Sequence, residues 1–340
     1  MKLVSFLNDK SKERVGLFHN NIVYDLKKSG KLRHLKFPSK MSKLLNQWEK
    51  YQKDLEKLSA EIGNIKPENG LDISKVKLIS PVPHPTSCRD GYAFRQHVEA
   101  ARRNRGVEMI PEFDQYPIFY FTNHNAVFGP GVIPVEDDHL QQLDFELEAA
   151  VVIGKKGKNI PALKADDYIA GYMVMNDFSA RVLQMEEMKL NLGPAKGKDF
   201  ASSFGPWLVT QDELNKYKVS TDSGNKFNLE MHAYHNGKLV SQGNMKDMNW
   251  TFAELIERAS YGVEVFPGDI IGSGTVGTGC YLELNGTWAR EAKAKGENFS
   301  PIWLKAGDTI EMEIECLGKL TNTIVKSPES YSILSKKKNI

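Results

Sequence analysis

Cysteine is scarce. The 340 residues hold three, Cys88, Cys280 and Cys316, with no CxxC spacing. That excludes a disulfide framework and a zinc ribbon, and it suits a reducing compartment. A surplus of one charge is also missing. Forty-five Lys and Arg face 43 Asp and Glu, leaving +2 with histidine neutral. No overall field steers polyanions, so nucleic acid is not expected as a partner. Long apolar runs are absent. Mean hydropathy is −0.43, and the longest low-polarity stretch, Tyr168 to Met175, is far below the roughly 18 residues a membrane span needs. The opening MKLVSFLNDK has too short an apolar stretch for a signal peptide. GxGxxG and P-loop patterns are lacking. Gly272–Gly277 invites the comparison but has the wrong spacing and no expected helix after it. A composition of 41% hydrophobic and 26% charged residues lies in the globular range. The expectation is a cytoplasmic protein with room for a buried site and no membrane partner.

What is present falls into two parts. Residues 1–70 are rich in lysine and read as a small N-terminal domain. Lys2 to Leu7 reads as a strand, and Asn20-Asn21 joins two more as a hairpin, because Asn tolerates positive φ. Leu44, Leu45, Trp48, Tyr51, Leu55, Leu58 and Ile62 recur at helical spacing, predicting a helix from about Ser42 to Ile62. Lys66-Pro-Glu-Asn-Gly70 then breaks the pattern. Residues 71–340 turn β-rich, with Leu143–Ile153 and Gly171–Met175 as apolar runs and Asn236-Gly237 as the strongest hairpin signal. Strands and helices do not alternate strictly. This excludes a doubly wound parallel sheet and points to a mixed sandwich or rolled sheet.

Five segments carry residues able to do chemistry. In Leu143-Asp-Phe-Glu-Leu-Glu148, strand alternation puts Asp144, Glu146 and Glu148 on one face. This is either a solvated face or a hard-cation site, since neighbouring carboxylates repel unless a cation or proton lies between them. An apolar strand is expected to end at Met175, and Asp177 lies at the junction with a helix expected from about Ser179, as a cap or turn residue or as a site carboxylate; Arg181 and Gln184 follow at helical spacing as donors for an oxyanion. Asp90 precedes an expected helix holding His97, readable as a cap and an ordinary histidine, or as a ligand and a general base. The loop Gly193–Phe200 carries Lys196 and Lys198. Thr275 sits in a glycine-rich turn, and Glu283 is expected on a short strand, where burial would let it orient a histidine.

In this order the segments DGYAFRQH (Asp90–His97), LDFELE (Leu143–Glu148), MNDFSAR (Met175–Arg181), LGPAKGKDF (Leu192–Phe200), GSGTVG (Gly272–Gly277) and LELNG (Leu282–Gly286) resemble the fumarylacetoacetate hydrolase family. The resemblance implies a mixed α+β fold, mainly β: a roll of the fumarylacetoacetate-hydrolase type behind a small β-rich N-terminal domain, assembled as a homodimer. It implies that Asp90, Glu146, Glu148 and Asp177 hold Mg2+ or Ca2+, hard ions that prefer carboxylate oxygen. It further implies His97 as the water-activating base, Glu283 as the acid orienting it, and Lys198, Arg181 and Gln184 as stabilisers of developing negative charge. Tyr92, Tyr120 and Thr275 match substrate-contacting positions, and the arginine of the lid corresponds to Arg102, Arg103 or Arg105. The implied activity is hydrolysis of a C–C bond in a 1,3-diketo acid, fumarylacetoacetate to fumarate and acetoacetate, as in aromatic amino acid catabolism. The alternatives are a fumarylpyruvate or acylpyruvate hydrolase, an isomerase, decarboxylase or hydratase of a 2-oxo dienoate, and, last, a non-enzymatic binding protein. A two-carboxylate glycosidase is disfavoured, because Glu146 and Glu148 face one way at about 7 Å spacing and cannot flank a bond.

Overall fold

The computed structural model describes residues 1–338. Its main sheet has 12 strands. From one edge the path runs Leu71–Asp72, Ile22–Asp25, Glu13–His19, Lys2–Leu7, Ser202–Val209, Ile169–Asp177, Leu147–Ile153, Ile270–Gly272, Cys88–Gly91 and Phe119–Thr122. The N-terminal strands thus extend the same sheet, through antiparallel pairing of Lys2 with Val209 and Leu3 with Leu208. A second sheet of five strands is ordered Lys238–Asn244, Glu230–His235, Thr309–Ile314, Gly318–Lys326 and Gly131–Val135.

Alternation along the central strands explains the layering. Leu147, Ala149, Val151 and Ile153 join a core with Met231, Ala233, Ile310 and Met312 of the second sheet. Ala150 and Val152 face the opposite way, packing with Met173 and Met175 against Met41, Leu44, Trp48 and Leu55 of the N-terminal helices. Both faces are therefore buried, and the strand is apolar at every position except Glu148, as a covered central strand must be. Two layers on two sides give the mixed α+β class, with the β elements forming the frame.

The hairpins form where Asn can adopt positive φ. Asn20 and Asn21 have φ of 47° and 63°, and Asn236 and Gly237 have 48° and 77°. Three local expectations change. The helix expected over 42–62 is two, Met41–Leu45 and Trp48–Glu61. The run Leu143–Ile153 is interrupted at Phe145 and Glu146, so Leu143–Asp144 pairs separately with Ser179–Ala180. Glu283 lies not on a strand but in the first turn of the helix Tyr281–Lys295. Among the described residues, no helix is long and apolar enough to cross a membrane.

Candidate active site

Strand ends bring the carboxylates together. Asp90 lies on the strand Cys88–Gly91, rather than capping a helix, and Asp177 is the last residue of Ile169–Asp177. Glu148 faces Met175 across the antiparallel pair, and Asp90 faces Gly272 across the parallel one. Asp90, Glu146, Glu148 and Asp177 each offer one oxygen, all within 4.8 Å of one another, and all four residues are buried. The glycine-rich segment explains itself here. The Gly274 N–H donates to Asp90 Oδ1 at 3.1 Å from a backbone at φ +77°, a conformation L side chains rarely adopt. A Cβ on Gly272 would run into Asp90 Oδ1.

Buried cations compensate only part of this charge. Lys198 Nζ bridges Glu146 Oε2 and Asp177 Oδ2, the latter at 2.7 Å. Arg181 Nη2 reaches Glu146 Oε1 at 2.7 Å. Burial alone would raise the Glu146 pKa, but Lys198 and Arg181 outweigh it and hold the group at about 2. Asp177 is raised by burial despite Lys198. On the other side, burial and the charge of Asp177 push Asp90 up to about 7. Glu148 goes well above the carboxylate range, through burial and then Asp90. Lys198 is raised above the ordinary lysine value, because Asp177 and Glu146 outweigh its burial.

The residues fit a hard divalent cation. The donor set is all oxygen, which favours such ions over softer metals. Two buried oxygens, Glu148 Oε2 and Asp177 Oδ1, lack a hydrogen-bond partner among the described residues. Buried polar atoms are otherwise nearly always satisfied.

A second pair stands beside the cluster. His97, on the helix Arg95–Asn104, places Nδ1 2.6 Å from Glu283 Oε2. Glu283 Oε1 accepts from the Thr278 N–H at 2.9 Å, and Asn104 Nδ2 donates to the Glu283 carbonyl at 2.9 Å, tying the two helices. A carboxylate at Nδ1 selects the tautomer with its proton there and leaves Nε2 as an acceptor.

The remaining expected residues divide. Tyr120 donates to Asp177 Oδ2 at 2.5 Å, and Thr275 donates to Glu148 Oε1 at 3.3 Å. The Gln184 carbonyl oxygen is taken by Arg181 Nη1 at 2.9 Å. Tyr92 meets the His97 ring edge-on, with centroids 6.1 Å apart. The charges of Arg105 and Arg102 reach Tyr92; Arg103 and Arg105 are exposed and Arg102 is half-buried. A cavity of about 250 Å³ is lined by Lys198, Tyr120, Pro194 and Ala195 among others. A wider groove of about 1200 Å³, lined by Glu13, Leu78, Phe128 and Thr323, shares none of these residues. Sequence reasoning grouped Asp144 with Glu146 and Glu148. The interruption of the strand instead turns it onto Arg181 Nε, at 2.8 Å.

Comparison with known proteins identifies the family. The family described as fumarylacetoacetate (FAA) hydrolase C-terminal matches residues 86–325, and the chain belongs to that family of enzymes. It is similar to the oxaloacetate tautomerase YisK of Bacillus subtilis, 32% identical over 259 residues and 74% of each chain. It is also similar to the fumarylacetoacetate hydrolase domain-containing protein 2 homolog of Dictyostelium discoideum, 29% identical over 95% of this chain and 97% of that one. Among solved structures, maleylpyruvate hydrolase from Sphingobium sp. SYK-6, in complex with manganese(II) and pyruvate, shares the fold. The TM-score is 0.64 at 22% identity, covering 96% of this chain and 100% of that one.

Proposed function

We propose that the chain is a divalent-cation-dependent hydrolase cleaving a C–C bond of a 1,3-diketo acid, fumarylacetoacetate first among candidates. The observation that carries this reading is the His97–Glu283 pair at 2.6 Å beside the carboxylate cluster. Enolisation alone needs no base held ready for water, whereas hydrolysis does. Asp90, Glu146, Glu148 and Asp177 would hold Mg2+ or Ca2+, which supplies Lewis-acid polarisation of a carbonyl when bound. His97 Nε2 takes a proton from water, and Glu283 holds the resulting imidazolium by its Nδ1–H. The new C–O bond forms as the C–C bond breaks, giving a carboxylic acid and a carbanion that recovers the proton from His97. Lys198 Nζ, with a donor to spare beyond its two carboxylates, faces the developing negative charge, and Arg181 with Gln184 holds the wall behind Glu146. Tyr92, Tyr120 and Thr275 border the substrate, with Arg102, Arg103 or Arg105 as the arginine of the lid. The assembly we infer is a homodimer acting on a small-molecule acid.

A second reading is favoured by the relatives. Interconversion of the keto and enol forms of oxaloacetate would call on the same carboxylate cluster and Lys198 of this chain, and on no water attack. One experiment separates the two. Purified protein with Mg2+, Ca2+ or Mn2+ is offered fumarylacetoacetate, fumarylpyruvate, an acylpyruvate and oxaloacetate, and products are followed by NMR. Release of two acids, abolished by EDTA and by Glu283→Gln, supports hydrolysis. Equilibration of oxaloacetate tautomers without cleavage, persisting in Glu283→Gln, replaces it with the second reading.

A further inference from the structure

Asp144 belongs neither to the cation cluster nor to the dyad, yet it touches the scaffolding of both. Its side chain is fully buried. Oδ1 accepts from the main-chain N–H of Phe145 at 2.9 Å and of Tyr281 at 2.7 Å. Oδ2 accepts from the N–H of Leu282 at 2.9 Å and from Arg181 Nε at 2.8 Å. Four donors on one buried carboxylate leave it little freedom. Two of them, Tyr281 and Leu282, are the first residues of the helix Tyr281–Lys295. The first N–H groups of a helix have no partner within it. The helix's own cap is poor: the Cys280 sulfur accepts from the Glu283 N–H at 3.5 Å, and thiols are weak acceptors. So a carboxylate from a distant strand anchors this helix start, where the dipole favours negative charge. Glu283 follows Leu282 directly, and its Oε2 holds His97. Through the other oxygen the same carboxylate fixes Arg181, whose Nη2 reaches Glu146.

We propose that Asp144 is a positioning residue that sets the dyad against the cation cluster, linking the start of the Glu283 helix to Arg181 and so to Glu146. It touches no substrate and acts through Glu283 and Arg181. Hydrogen bonds to a charged acceptor in a dry interior are strong and directional. A displacement of about 1 Å at a reacting group costs on the order of 100-fold in rate. Asparagine is nearly isosteric but donates where Oδ2 accepts, so it opposes Leu282 N–H and Arg181 Nε. The proposal rests on the dyad having the role given above, and its test also includes a readout that needs no turnover.

The measurement compares Mg2+-saturated wild type, Asp144→Asn, Glu283→Gln and the double variant. The first readout is the downfield Nδ1 proton resonance of His97, identified by its loss in His97→Gln. It is expected in wild type and shifted or lost in Asp144→Asn with unchanged circular dichroism. The second uses whichever acid wild type turns over. Asp144→Asn is expected to lower kcat about 100-fold with KM within about three-fold. In the Glu283→Gln background the same change costs less than about three-fold, because residues acting through one another are not additive. An unmoved resonance, or an equal loss in both backgrounds, overturns the proposal. If wild type consumes none of the acids, the reading of function fails and the resonance alone decides for Asp144. If Asp144→Asn does not fold, Arg181→Lys is used: it removes the Nε donor to Asp144, and an unmoved His97 resonance there overturns the link.

Discussion

Two halves of one acidic pocket behave in opposite ways. Glu146 is clamped by Lys198 and Arg181 and stays ionised, its pKa held at about 2 despite burial. Asp90 and Glu148, a few ångströms away, have no cationic side chain in hydrogen-bond contact among the described residues. Burial drives both upward, joined at Asp90 by the charge of Asp177, which takes it to about 7, and at Glu148 by the charge of Asp90, which takes it well above the ordinary carboxylate range. The same residue type at the same depth thus divides by the charge beside it. The difference marks where a cation would relieve most repulsion: the chain compensates one half with its own side chains and leaves the other open to a proton or an ion.

Taking that ion away tests the comparison most severely. EDTA treatment is expected to lower turnover by at least about 10³-fold, since Lewis-acid polarisation supplies several kcal/mol of barrier; restoration by Mg2+ checks it. Breaking the compensated half comes next. Lys198→Ala leaves Glu146 and Asp177 short of a partner and is expected to cut kcat by about 10² to 10³. Melting curves should show loss of stability as well, since removing one member of a buried ion pair costs about 3–5 kcal/mol.

The acidity of the two halves sharpens the contrast further. A carboxyl whose folded pKa is raised, as for Asp90 from 3.8 to about 7, destabilises the fold progressively as pH rises between those values. The metal-free protein should therefore melt at lower temperature near pH 8 than near pH 5. Glu146 has the opposite sign: its contribution is present above about 4.5 and is lost as pH falls towards 2. Mg2+ should bind more weakly below about pH 7, where a proton competes at Asp90; calorimetry at several pH values reads this directly. The smallest effect is expected from Thr275→Val, which removes one neutral hydroxyl donor to Glu148. It should change cation affinity by about 1 kcal/mol, roughly fivefold, seen in the same titration.

Much of this pocket was legible in the chain. Alternation marked Glu146 and Glu148 as same-face neighbours, and the apolar run ending at Met175 placed Asp177 at a strand–helix junction, although the strand itself runs on to Asp177. The Asn-Gly hairpin at 236–237 formed as its chemistry demands. Other features were not legible. Asp144 obeyed the same alternation on paper, but a break in the strand at Phe145 and Glu146 turned it towards Arg181 and the helix at Tyr281. Leu282-Glu-Leu284 alternates like a strand, yet Tyr281 and Leu282 N–H groups anchored on Asp144 begin a helix there. Short apolar runs do not distinguish the two periods, and a partner 137 residues away decides.

The chain by itself determined which residue types were available: carboxylates without a cysteine or histidine cluster, one histidine followed at a distance by a glutamate, and glycines where a side chain would collide with Asp90. Those choices already specify oxygen ligation and acid–base chemistry, because donor type is a property of the side chain alone. Only the tertiary structure decided which carboxylates share Lys198, which repel one another, and which oxygen orients His97. Charge coupling depends on distance, and the distances between Asp90, Glu148 and Asp177 are set by sheet register rather than by separation along the chain.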